Sequence, residues 1–180
     1  MVSITFFISL TKLKFFFNLI LIKIPFFYVG IPIIYQGTEH DFAGVPTGSD
    51  PFNREALWPS LYSESPTYQF IARINEFRHA LPKSFFMAFS VEAWIDEKIY
   101  AFSKDKALII TSNYGRNNPN RDFVIQGNGL WPIGNVLINI LKCEEKITID
   151  GSFNVRVIVD GEPKILYPQN LLIGSGICGL

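Results

Sequence analysis

The chain of 180 residues is poor in residues that build metal and redox sites, with two cysteines and two histidines. It has no Gly-rich phosphate loop, no G-x-S-x-G element and no C-x-x-C pair. Nucleotide binding, serine hydrolysis and dithiol chemistry therefore lack their usual motifs. Sixteen basic and 16 acidic side chains cancel, which argues against nucleic acid or a polybasic membrane surface as the main partner.

Hydrophobic residues make up 48% of the chain, enough to bury a core, and they are concentrated in residues 1–29. This apolar segment has several open interpretations. One interpretation is a signal peptide, although no small-x-small cleavage site follows. Another is a membrane anchor, interrupted by Lys23 and Pro25. The others are translated non-coding sequence and a native core element. A membrane is a partner only if residues 15–34 insert.

The remaining sequence changes its period partway along. The glycine-bounded run Gly30–Gly37 predicts a strand buried on both faces. Ser65 followed by Pro66 predicts the start of a helix that ends before Pro82. Its apolar face consists of Phe70, Ile74, Phe77 and Leu81.

From Phe85 onward, short apolar runs alternate with turn pairs. Three pairs are the Asn-Gly or Asp-Gly type that favours hairpins: Asn128-Gly129, Asp150-Gly151 and Asp160-Gly161. Phe153, Val155, Val157 and Val159 alternate with other residues, which predicts a strand with one buried face. About eight strands between Val91 and Pro168 predict an antiparallel sandwich.

The densest polar cluster follows the first predicted strand and contains Glu39, His40 and Asp41, then Asp50 and Arg54. Asp50 can cap a short turn and pair with Arg54 four residues later. Alternatively, the carboxylates belong to a ligand site of the kind that glycoside hydrolysis needs. His40 and Asp41 have no third metal ligand at suitable spacing.

The cysteines leave two possibilities open. Cys143 and Cys178 lie 35 positions apart in the predicted β module. A disulfide between them would pin the C-terminus and imply an oxidising compartment, whereas two free thiols would fit the cytosol.

Two stretches carry a resemblance to a known family. GIPIIYQGTEHDFAG followed by SDPFNREALW resembles the last strand and following loop of the catalytic barrel of fungal-type secreted α-amylases. The Leu166-Tyr167-Pro168 sequence and a near-terminal cysteine are similar to the C-terminal β-sandwich of that family. The likeness runs over residues 30–180.

The resemblance implies a mixed fold. An apolar segment at residues 1–29 precedes the remnant of a TIM (β/α)8 barrel, its last strand and helix, at residues 30–83. An all-β antiparallel sandwich follows at residues 84–180. Because one strand cannot close a barrel, Phe70, Ile74 and Phe77 are expected to lose packing partners and to leave a sticky, poorly ordered N-terminal half.

The resemblance also implies roles for individual residues. Asp50 and Arg54 match a family pair that hydrogen-bonds glucosyl hydroxyls, and Glu39 matches a loop-positioning glutamate. Cys143 and Cys178 match the disulfide that closes the sandwich. Asp41 stands where close relatives often have His, and residues 45–48 resemble a small insertion.

The family activity is retaining endo-hydrolysis of α-1,4-glucosidic bonds in starch and glycogen. Its catalytic Asp, Glu and Asp, and its calcium ligands, lie upstream of the matched region. We therefore expect an extracellular but inert fragment with no catalytic residue, metal or cofactor, and weak α-1,4-glucan contact at most. The alternative is a non-catalytic α-glucan-binding or structural module with an aromatic platform among Trp94, Tyr114 and Trp131.

Overall fold

A computed structural model describes residues 26–27, 31–42, 56–61, 64–113 and 120–180. Within these residues the α-helices are α1 (Pro66–Ala80) and α2 (Lys83–Met87). The strands are β1 (Ser90–Ile95), β2 (Ile99–Lys104), β3 (Ala107–Ser112), β4 (Arg121–Gln126), β5 (Val136–Asn139), β6 (Lys142–Thr148), β7 (Asn154–Val159) and β8 (Lys164–Pro168). Short 3-10 turns occur at Thr38–His40, Trp58–Ser60, Gln169–Leu171 and Ile177–Gly179.

The strands form two antiparallel sheets. The larger sheet has six strands in the order β1-β2-β3-β8-β5-β6, and the smaller is the β4-β7 ribbon. Val155, Val157 and Val159 of β7 are buried, as their alternation predicts, whereas Phe153 precedes the strand at a positive φ and is exposed. The predicted antiparallel sandwich is confirmed.

The central strands of the six-stranded sheet bury both faces, and β3 is buried along its whole length. One face packs against the ribbon through Leu108, Ile110 and Leu166. The other face contributes Ile109 and Tyr167 to a second cluster shared with the helices and the C-terminal turn. This gives three layers, with the large sheet in the middle.

Helix α1 begins and ends where the sequence predicts. The Ser65 side chain accepts a hydrogen bond from the backbone N–H of Tyr68, and Leu81 terminates the helix. Ile74 and Phe77 are fully buried, and the Phe77 ring meets Tyr167 edge-on at 5.2 Å between centroids. The expectation that this face loses its packing partners is wrong, because the face docks on the large sheet.

Two residues of the apolar N-terminal segment also join this core. Phe26 and Phe27 are 3% and 0% exposed. The Phe26 carbonyl accepts a hydrogen bond from Arg78, whose guanidinium lies 5.8 Å from the Phe26 ring centroid. These contacts favour a native core role for this pair, whereas residues 1–25 lie outside the described residues. No helix in the described part of the chain is long and apolar enough to cross a membrane.

The predicted buried strand at Gly30–Gly37 is not observed. Residues 31–35 of this segment belong to no sheet, and Ile31 and Ile33 are 89% and 76% exposed. The prediction failed because a short apolar run forms a buried strand only beside partner strands, and the described residues supply none here.

The three strongest hairpin signals mark turns but not hairpins. Asn128-Gly129, Asp150-Gly151 and Asp160-Gly161 each lie between a ribbon strand and a strand of the large sheet. Asn128, Gly129 and Gly161 have positive φ, as such turns require. The local backbone prediction therefore holds, but these turns carry the chain between sheets.

Candidate functional site

The candidate site lies where residues 31–42 cross the N-terminal half of α1. A cleft of about 370 Å³ opens there, lined by Ile34, Gln36, Glu39, Tyr68, Ile71, Ala72 and Asn75. Polar and apolar side chains both line this cleft.

Glu39 holds the backbone of this loop. Its Oε2 accepts a hydrogen bond from the Gly37 N–H at 3.0 Å, and its carbonyl accepts one from the Ser65 hydroxyl. Gly37 has φ +89°, and a Cβ there would stand 2.5 Å from the Phe42 ring, so the turn requires glycine. These contacts give Glu39 the loop-positioning role that the resemblance implies.

The two neighbours of Glu39 are also engaged. Asp41 Oδ1 accepts a hydrogen bond from the buried Thr67 hydroxyl, which ties the loop to α1. The His40 ring stacks on Tyr68 at 6.3 Å between centroids. In the described part of the chain, no group of three or more His, Cys, Asp or Glu side chains is arranged to hold a metal ion.

The proposed sugar-contacting residues Asp50 and Arg54 lie outside the described residues, as do residues 45–48. Trp58, the nearest described aromatic residue along the chain, is 72% exposed. The structure therefore leaves the assignment of Asp50 and Arg54 as a prediction.

The tryptophans considered for a glucan platform are largely engaged in packing. Trp131 is 2% exposed, and its Nε1–H donates to the Lys106 carbonyl at 3.0 Å, so its ring face is unavailable. Trp94 is half-buried against Phe123, with 5.3 Å between ring centroids. Tyr114 lies outside the described residues.

Asp96 organises the turn between β1 and β2. The Trp94 Nε1–H, the backbone N–H groups of Lys98 and Ile99, and the Arg121 guanidinium all point at its carboxylate. The Trp94 hydrogen bond is the largest cause that lowers the pKa of Asp96 to about 2.

The cysteines are joined as the resemblance implies. The Cys143–Cys178 disulfide connects edge strand β6 to the last 3-10 turn, with 5.4 Å between the Cα atoms. Ile177, beside Cys178, is 1% exposed in the helix-side core. The disulfide therefore holds a C-terminal segment that is already packed in the core through Ile177.

A buried polar cluster escaped the sequence analysis entirely. Lys164 is 2% exposed and forms ion pairs with Glu145 at 2.9 Å and Asp160 at 3.3 Å. The same Glu145 carboxylate accepts a hydrogen bond from the side-chain amide of Asn139. No local sequence motif predicts this cluster, because its members come together only through strand pairing.

Comparison with known proteins identifies the family. The family model "Alpha-amylase, domain C" matches residues 92–180. Alpha-amylase 1 of Schwanniomyces occidentalis is 34% identical over 83% of this chain, and alpha-amylase mde5 of Schizosaccharomyces pombe is 30% identical over 83%. The chain spans only 30% and 28% of those two relatives.

A solved structure supports the same assignment. An α-amylase from Malbranchea cinnamomea superposes with a TM-score of 0.82 at 27% identity, covering 91% of this chain and 35% of that protein. The sequence and structural similarities agree with the sandwich fold and the disulfide described above. This chain belongs to the α-amylase family, and residues 92–180 are its C-terminal domain, domain C.

Proposed function

We propose that the chain is the C-terminal portion of a secreted fungal-type α-amylase and is catalytically inert by itself. The whole enzyme would perform retaining endo-hydrolysis of α-1,4-glucosidic bonds in starch or glycogen. The chain corresponds to 30% of the Schwanniomyces occidentalis enzyme, so this activity is a proposal for the longer protein.

The proposal that the chain is inert is supported by the hydrogen bonds that Glu39 and Asp41 make within the loop. Retaining hydrolysis needs two carboxyl groups about 5–5.5 Å apart that are free to face a sugar. Glu39 holds the Gly37 N–H and Asp41 holds the Thr67 hydroxyl. Both carboxylates therefore support the loop, which favours a structural role for them over that of a nucleophile or an acid.

Secretion is proposed from the disulfide. Structural disulfides form and persist in oxidising compartments, and the Cys143–Cys178 bond ties a buried C-terminal anchor to β6.

A starch assay tests the proposal. Purified full-length chain is incubated with soluble starch, and reducing ends are measured against a boiled sample and against the Malbranchea cinnamomea enzyme. We expect release equal to the boiled sample. Hydrolysis above it that is lost in Glu39→Gln would assign chemistry to this chain and contradict the proposal.

Residual glucan binding is a separate part of the proposal. Trp58 is 72% exposed, so its ring face is open for stacking on a sugar, and it lies close in sequence to Asp50 and Arg54. Maltoheptaose titration by calorimetry should give millimolar binding or weaker. Any binding should be reduced by Asp50→Ala and unchanged by the control Asp150→Ala, because Asp150 lies on the turn between β6 and β7.

A further inference from the structure

We propose that Lys164 and Asn139 form an autocatalytic isopeptide bond between strands β8 and β5, with Glu145 of β6 transferring the protons. The cluster lies where β5 ends and β8 begins, on other elements than the candidate site. The proposal therefore holds whether or not the longer protein is an active amylase.

The two reacting side chains are buried neighbours on one face of the sheet. Asn139 and Lys164 are each 2% exposed. Asn139 is paired with Leu166, so Lys164 lies two residues further along the adjacent strand and points to the same face. Burial keeps water away from the reacting amine and amide themselves, which protects them from competing reactions.

One carboxylate oxygen contacts both nitrogens involved in the reaction. Glu145 Oε2 accepts from Asn139 Nδ2 at 2.9 Å and from Lys164 Nζ at 2.9 Å. A carboxylate in this position can take a proton from the attacking amine and deliver it to the leaving amide nitrogen. Asp160, whose Oδ2 atom is 3.4 Å from Nζ, helps hold the lysine in place.

The amide carbonyl of Asn139 is already polarised. Its Oδ1 accepts hydrogen bonds from the backbone N–H groups of Leu141 and Ile165, each at 3.2 Å. Two fixed N–H donors on one carbonyl oxygen are the arrangement that stabilises negative charge during attack on the carbon.

The reaction balances without an oxidant or co-reactant. Glu145 accepts a proton from the Lys164 ammonium, and the Nζ lone pair attacks Cγ of Asn139 while the carbonyl electron pair moves to Oδ1. Glu145 then protonates Nδ2 and takes a second proton from Nζ. The Cγ–Nδ2 bond breaks as the carbonyl re-forms, and the nitrogen leaves as ammonia. Ammonia then takes the proton held by Glu145, which yields ammonium and restores the carboxylate. The products are a Lys164–Asn139 amide and one ammonium ion.

Mass spectrometry of the full chain tests the proposal. After reduction and denaturation, the folded protein should be lighter than its sequence mass by one ammonia, and proteolysis should yield the peptides of Asn139 and Lys164 joined. Lys164→Arg, which keeps the positive charge but cannot form this amide, should have its full sequence mass. The matched control Lys142→Arg, on an exposed position of β6, should retain the deficit.

The contrary outcomes are equally specific. A folded wild-type chain at full sequence mass would make the cluster a buried ion pair only and overturn the proposal. Succinimide formation at Asn128-Gly129 also releases ammonia, so a deficit that persists in Lys164→Arg would place the loss elsewhere and overturn it too. The joined peptides are identified in the wild-type chain, so the test does not depend on a variant folding.

Discussion

Replacement of Phe77 by alanine tests whether α1 and the sandwich form one cooperative unit. Phe77 is fully buried, 5.2 Å from the Tyr167 ring centroid and 6.0 Å from that of Phe27. A buried Phe→Ala change costs about 3–5 kcal/mol through lost transfer free energy and the cavity left behind. If the helix is integral to the fold, the sandwich loses that amount of unfolding free energy.

The reporter should lie on the opposite side of the sheet. Trp131 packs in the ribbon-side cluster, so its fluorescence in a Trp58→Phe, Trp94→Phe background follows that core alone. With a urea slope of about 2 kcal/mol per molar, the midpoint should fall by roughly 1.5–2.5 M. Phe89→Ala is the matched control, because Phe89 is 81% exposed, and it should leave the midpoint unchanged.

A small midpoint change would refute this reasoning. If Phe77→Ala lowered the Trp131 midpoint by less than about 0.3 M, the helix would unfold separately from the sandwich. The shared core would then contribute nothing to the stability of the sheet. A loss of the same size from Phe89→Ala would show that the effect does not come from burial.

Three further predictions concern individual residues. Replacing both Cys143 and Cys178 by serine opens a loop with a sequence separation of 35, and chain entropy predicts a loss of about 4 kcal/mol in urea unfolding; an unchanged midpoint would contradict it. Asp96 has a folded-state pKa of about 2 against an ordinary 3.8, so it stabilises the fold above about pH 4, and that stabilisation disappears as the pH falls towards 2. The Asp96 side chain is 24% exposed, so solvent screening reduces its contribution to the unfolding free energy to about 1 kcal/mol. Asp96→Asn should lose this amount at pH 6, and its unfolding free energy should fall less in acid. An unaltered pH profile would refute the assignment. Gly37→Ala should destabilise the loop at residues 37–42 by about 2 kcal/mol, because of backbone strain and the clash with Phe42, and proteolysis of this loop should become faster. The control is Gly129→Ala, which is also at positive φ but has open space around it. It should have a smaller effect on its own turn.

Features set by neighbouring residues were predictable from the sequence. Ser65 and Pro66 specify the start of α1 through a side-chain cap and a preset φ, and the valines of β7 specify its buried face by alternation. The loop-positioning role of Glu39 came from the family resemblance. In each of these cases a single segment carries the signal.

Features set by strand pairing were not predictable. The Asn-Gly and Asp-Gly turns fix a local reversal, but the sheet that receives the next strand depends on the packing of both faces. Lys164 and Glu145 are 19 positions apart and meet only because β5 lies between β6 and β8. Reading Lys164 as a solvent-facing strand residue would be reasonable from sequence and would miss its burial.

The docking of α1 changes what counts as the folded unit around domain C. The family match begins at residue 92, but the core beneath the large sheet reaches back to Phe85, Phe77 and Phe26. Without the helices, the side chains of Ile109 and Tyr167 on that face would be bare, and a contiguous apolar sheet face favours aggregation. The helix that resembles the end of a barrel therefore serves as the third layer of the sandwich, and its stability is bound to that of domain C.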